Sequence, residues 1–179
     1  MELEQDFFAL LGLPRSFAVD SSSLKKAARS LLLQYHPDKL VNATPQEQRL
    51  AAQFTAHINH AKTVLADPVA RASHLLTLIG LQSNFDNKTI RDREFLMQQM
   101  MLREAFEEAE QPQELEDLSN ELEDALSDIH KQFTAVDFQQ EADSAVAQSL
   151  EDALAKMHFY EKLADDVRLK RRSMQSKSS

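Results

Sequence analysis

His36, Pro37 and Asp38 close an apolar, lysine-bearing stretch, LKKAARSLLLQY, and Lys39 follows them directly. Pro37 disfavours helical geometry at His36 and has no N–H to donate, so the tripeptide stops a helix. A histidine at a helix C-terminus is also favoured by the dipole. These facts describe punctuation. The other reading is a tool, a charged tripeptide offered to a partner at a corner. Catalysis is the weakest use. The chain has 0 cysteines and 2 glycines, and shows neither a nucleophile–base set nor a phosphate-cradling glycine loop. No thiolate nucleophile, disulfide or cysteine-ligated metal or iron–sulfur site can be built from it. Its 6 histidines lie scattered, without the i, i+4 pairing that grips zinc on a helix. The expectation is a binding protein that is not an enzyme and has no metal or cofactor of its own.

A second candidate lies on a helix predicted from roughly Ile90 to Glu110. Phe95, Leu102, Phe106 and Ala109 form one stripe, enough for packing in a small bundle. Leu96, Met97, Met100 and Met101 lie on another, interleaved with Glu104 and Glu108. A helix with two apolar faces is either sandwiched in a core or exposes one face to a partner. Methionine suits both, since it fills core gaps and also forms adaptable binding surfaces. On spacing alone, burial leads. The glutamates reverse that order, because burying them without nearby cations is costly. Phe159, on the last predicted helix, projects opposite that helix's own stripe. Leu96, Met100 and Phe159 are therefore expected to be solvent-accessible, and Leu102 and Phe106 buried.

The elements that must hold these residues are helices. The 2 glycines and 5 prolines leave few turns, and alternating β-branched runs are nearly absent, so the fold class is all-α. DFFALLGLP gives a short first helix closed by Gly12 and Pro14. Serine caps open a second, from about Leu24 to Tyr35. Leu24, Ala28, Leu31, Leu32 and Tyr35 share one of its faces, and Lys25, Lys26 and Arg29 the other. A third helix returns after the corner with Leu50, Phe54, Ile58, Ala61 and Leu65 in line. Asp67 and Pro68 open a fourth, stopped by Gly80.

LQSNFDNK is polar and turn-rich, and marks a boundary. After the helix that ends near Glu110, Pro112 precedes one carrying Leu115, Leu118, Leu122, Leu126, Ile129, Phe133 and Val136. Another, from about Asp143, carries Val146, Leu150, Ala153, Met157, Tyr160, Ala164 and Val167. Each has one apolar stripe, which suits a three-helix bundle. Domains are expected at 1–80 and 90–170, with a linker at 81–89 and a frayed tail at 171–179.

The net charge of −9 argues against nucleic acid as a partner of the whole molecule. No apolar run approaches the roughly 20 residues that cross a bilayer. The acidic start, MELEQDFFALLGLP, lacks the basic region of a signal peptide. A cytoplasmic setting, away from membranes, is expected. Charge is also segregated. Residues 15–49 hold six Lys or Arg against three Asp or Glu, and residues 94–152 hold two against seventeen. The halves are expected to meet different partners.

An antiparallel helix hairpin with His-Pro-Asp at its tip is the layout of a J domain. Together DFFALLGLP, YHPDK, HINHAKTVLADPVARASHLL and IRDREFLMQQMMLRE resemble the HscB family, the J-type co-chaperones of iron–sulfur cluster assembly, over about residues 6–165. The resemblance implies a J domain that docks on a dedicated DnaK-type ATPase, HscA, and accelerates its ATP hydrolysis. His36, Pro37, Asp38, Lys25, Lys26, Arg29 and Lys39 would make that dock. It implies further that Leu96, Met97, Met100, Glu104, Glu108 and Phe159 bind the scaffold protein IscU, which would itself ligate the cluster. Met101 joins that surface and stands where the enteric pattern has an acidic residue, so the face is more apolar here. The basic face departs from the family as well. Leu33 lies near its middle, where many relatives carry a polar or basic residue, and Ser30 and Gln34 are uncharged. The glycine/phenylalanine linker and cysteine-rich region of general-purpose J proteins are missing, which favours a dedicated partner. The rival readings are a J domain serving another client, and a structural helical adaptor in which His-Pro-Asp is only a corner.

Overall fold

The computed structural model describes residues 5–35, 44–81, 92–140 and 143–177. They form seven helices and no strand. None of these helices is long and apolar enough to cross a membrane. The chain divides into two compact units, Met1–Leu81 with Asp137–Glu141, and Gln82–Val136 with Ala142–Ser179. Residues 137–141 thus group with the first unit, whereas the sequence reading leaves them inside the second.

In the first unit, α1 (Phe7–Leu11) begins where the Asp6 carboxylate accepts the Phe8 and Ala9 N–H groups at 2.9 and 3.2 Å. It ends at Gly12, whose φ of 64° is the left-handed turn that glycine allows without strain. α2 (Ser21–Gln34) starts earlier than expected, because its cap is Asp20, which accepts the Ser23 N–H at 2.7 Å, and not a serine. It buries Leu24 and Ala28 and half-buries Leu31, Leu32 and Tyr35. α3 (Pro45–Ala66) opens with a capping box in which Thr44 and Glu47 satisfy each other's backbone N–H. Its core residues are Ala51, Phe54, Ile58, Ala61 and Leu65. Leu50, placed on this stripe from sequence, is exposed. Ala51 replaces it, being seven residues before Ile58 and so on the stripe's centre line.

α2 and α3 pack as the hairpin, with the Tyr35 ring stacked on Phe54 at 5.1 Å. α4 (Pro68–Leu78) is capped by Asp67, which accepts the Ala70 N–H at 2.7 Å. Its Arg71 donates to the Leu65 carbonyl at 2.6 Å and lies over the Phe17 ring at 4.7 Å. These contacts tie the last turn of α3 to α4 and the loop before α2.

In the second unit, α5 (Arg93–Glu108), α6 (Pro112–Thr134) and α7 (Ser144–Lys177) form a three-helix bundle. α6 buries Leu115, Leu118, Leu122, Leu126, Ile129 and Phe133, while Val136 falls beyond its end. α7 departs from the sequence reading in three ways. Val146 is exposed and Ala147 is buried in its place. The helix runs on to Lys177, through the segment expected to fray. Its buried arc also takes in Leu154, Phe159 and Leu163, far wider than one stripe, because α7 packs against both α6 and α5.

Candidate docking surfaces

The outward face of α2 carries Lys25, Lys26 and Arg29, all exposed, opposite the buried Leu24 and Ala28. Positions 26, 29 and 33 follow one another at spacings of three and four, which puts Leu33 in the same row. Leu33 is 51% exposed, so the row of cations is interrupted by a bare aliphatic side chain. Ser30 and Gln34 are exposed beside it. Tyr35, by contrast, turns inward to Phe54. His36, Pro37, Asp38 and Lys39 lie outside the described residues.

The second surface is on α5. Its inward side carries Phe95 and Leu102, both buried, with Phe106 half-buried rather than fully enclosed. Polar and aromatic contacts hold that side against α7. Asp92 caps the helix by accepting the Phe95 N–H at 3.0 Å and pairs with Lys156 at 2.8 Å. Those bonds draw its carboxyl below the ordinary range, the Lys156 bond most strongly. The Tyr160 hydroxyl donates to Gln98 at 3.1 Å. Lys170 donates to the Phe106 carbonyl at 2.6 Å and lies over the Phe106 ring at 4.9 Å, so an α7 cation closes the C-terminal end of α5. Phe95 meets Phe159 and Tyr160 edge-on, with centroids 5.8 and 5.7 Å apart.

With one side so held, the other faces solvent. Leu96 is 41% exposed, Met97 66%, Met100 73% and Met101 67%, and Glu104 and Glu108 are exposed among them. At 100° per residue these six side chains share one continuous arc opposite Phe95 and Leu102. Phe159 does not join them. It is only 9% exposed, lying against Phe95 with the Arg103 guanidinium 5.6 Å over its ring. The expectation of an accessible Phe159 fails because it assumes one packing face on α7, and the side opposite that stripe is covered by α5. Asp92 has a sequence signal, since an aspartate directly before the apolar pattern is an N-cap. Lys156, Tyr160 and Lys170 have none, because their partners lie more than sixty positions away.

Comparison with known proteins places both units. A DnaJ domain model matches residues 6–74, and an HSCB C-terminal oligomerisation domain model matches residues 91–168. The co-chaperone protein HscB homolog of Shewanella halifaxensis is 36% identical over 167 residues, covering 90% of this chain and 94% of that protein. The chain belongs to the HscB co-chaperone family. The Shewanella pealeana homolog is 37% identical over the same length. Among solved structures, chaperone HscB from Vibrio cholerae superposes with a TM-score of 0.77 at 31% identity, covering 93% of this chain and 98% of its own. Human co-chaperone HscB shares the fold, with a TM-score of 0.82 at 22% identity over 96% of this chain and 84% of its own. The first unit is accordingly a J domain, and the chain is a J-type co-chaperone whose class of partner is a DnaK-type ATPase.

Proposed function

We propose that this co-chaperone stimulates an HscA-type ATPase and delivers the iron–sulfur scaffold IscU to it. The observation that carries the reading is the exposed run Leu96, Met97, Met100 and Met101 on a helix whose opposite side is fixed by Asp92, Phe95 and Gln98. Apolar side chains left in water on a well-held helix suit a partner surface, and the scaffold is the client that the family resemblance assigns to that face. Glu104 and Glu108, which share the same arc, select for cations on the partner. Phe159 serves beneath the surface, setting the position of α5.

At the other surface, Lys25, Lys26, Arg29 and Lys39 steer an acidic partner and His36-Pro37-Asp38 completes the contact. The chain performs no chemistry. Binding both proteins through one chain raises the scaffold's effective concentration at the ATPase, and affinity follows from that proximity without new contacts. In this reading the J domain spans residues 1–80 and the scaffold domain 90–170, joined through 81–89, and the pair acts in the cytoplasm.

The test is a steady-state ATPase assay with HscA, with and without IscU. The chain should raise turnover alone, and raise it further with scaffold present. His36→Gln should abolish both effects while IscU binding persists. Full stimulation by that variant would return the tripeptide to a helix stop. Stimulation by the intact chain that ignores IscU would point to another client.

A further inference from the structure

The methionines of this chain are unevenly placed. Of its 6, Met157 is fully buried, Met174 is half-buried and Met1 lies outside the described residues. The remaining three fall within five positions of α5 and are its most exposed apolar side chains. Thioethers oxidise where an oxidant reaches the sulfur. Nothing on α5 shields these three, whereas Met157 sits in the packed bundle and supplies an internal control.

We propose that Met97, Met100 and Met101 are a reversible oxidation site through which peroxide shuts the α5 docking face. The reaction needs only hydrogen peroxide. A sulfur lone pair attacks one peroxide oxygen, the O–O bond breaks, and an S–O bond forms. The second oxygen leaves as water after taking up the proton. Sulfur loses two electrons and the peroxide gains them. The product sulfoxide is a polar hydrogen-bond acceptor on a surface that works by giving up water. Burying it unpaired against a partner that was shaped for a thioether is costly. The fold should be indifferent, because these side chains already stand in solvent and α5 is held from its other side.

The consequence is selective, since the J domain has no methionine among its described residues. Oxidation would disconnect the client and leave ATPase stimulation alone intact. Methionine sulfoxide reductases, one for each sulfoxide epimer, would restore it. As a regulatory device the proposal rests on the reading of α5 as the scaffold dock.

The experiment treats the full chain alone with graded hydrogen peroxide, quenches with catalase, and only then adds IscU. Peptide mass mapping should show oxygen on Met97, Met100 and Met101 before Met157, with the melting temperature unchanged. IscU affinity should fall by about tenfold or more, return after treatment with both reductases, and leave scaffold-independent ATPase stimulation as it was. The triple variant Met97→Leu, Met100→Leu, Met101→Leu, whatever its starting affinity, should lose none of it on peroxide treatment. Equal oxidation of Met157, or an equal peroxide-induced loss in the triple variant, overturns the proposal. Failure of the untreated chain to bind IscU overturns the docking reading instead, and the peptide map alone then decides whether the oxidation site exists.

Discussion

The outward faces of α2 and α5 are kept in water for opposite reasons. On α2 the exposed face is charged or polar apart from Leu33 and the buried face apolar, so residue type and environment agree at every other position of that face. Lys25, Lys26 and Arg29 can hardly be inside, and Leu24 and Ala28 are where their hydropathy puts them. On α5 both faces are apolar, and hydropathy cannot say which one is covered. Met100 at 73% exposed and Leu102 at 3% are two positions apart on one helix and of similar chemical character. A charged docking face is stable in water by itself, whereas an apolar one stays exposed only because other contacts already satisfy its helix. The J-domain surface is therefore built from composition, and the α5 surface from competition among helices for the same neighbours.

The largest test of that contrast separates Phe159 from Leu96. Phe159→Ala should cost about 3–5 kcal/mol of fold stability, because it empties a site packed by Phe95 and Arg103. Leu96→Ala should leave the melting temperature nearly unchanged and cost about 2 kcal/mol of IscU affinity, the loss expected for an exposed anchor. Thermal denaturation with calorimetric titration measures both. A Leu96→Ala protein that melts early would show that α5 hides the face assigned here to a partner.

A smaller effect is expected at α2, where the surface is charge in water. Lys25→Glu with Arg29→Glu should weaken stimulation of the DnaK-type ATPase without affecting folding. Added salt should mimic it on the intact chain, since exposed charges are screened beyond about 10 Å at 0.1 M ionic strength. Leu33→Arg refines the point. If Leu33 is incidental the added charge helps binding, and if it makes an apolar contact binding weakens. A salt-independent interaction would mean that α2 works through apolar contact, as proposed for α5.

The smallest expected effect is a difference in pH response between the units. Burial, most of all, lowers the pKa of His74 from its ordinary 6.5, Arg15 and His60 lower it further, and Asp6 opposes them. Its neutral Nε2 accepts the Phe7 N–H at 3.2 Å, and its ring stacks on Phe7 at 4.4 Å. A lowered histidine pKa means that the unfolded chain binds the proton first. The stabilisation is thus complete above 6.5 and drains away as pH falls through the folded value. In the second unit the lowered Asp92 acts in the same direction but only below its ordinary 3.8. Histidine NMR titration with melts at a series of pH values should show the J domain weakening first, and His74→Gln should flatten that early loss. Unchanged stability of the intact chain down to the carboxylate range would contradict it.

Much of the fold was legible in the sequence because its signals are local. Proline and aspartate at helix starts, glycine at φ 64° and 83°, and stripes at three and four residues all act within a turn or two of chain. They yielded the seven helices, the hairpin, the basic face and the acidic bundle, since charge and capping chemistry are properties of the residues themselves. The start of α2, capped by Asp20 and not by a serine, and the run of α7 through to Lys177 depart from the local reading as well. Most errors of burial arose where one helix meets two others. Leu50 and Val146 sit at stripe edges, where a small rotation decides exposure. Phe138, between α6 and α7, is buried with no periodicity to announce it. Phe159 looked free only because a one-stripe reading gives α7 a single neighbour. Which side of α5 faces water was decided by Lys156, Tyr160 and Lys170, more than sixty positions from their partners. Sequence fixes which residues cannot be buried. Among apolar residues that could go either way, only the tertiary packing chooses, because burial depends on whether another helix arrives to cover them.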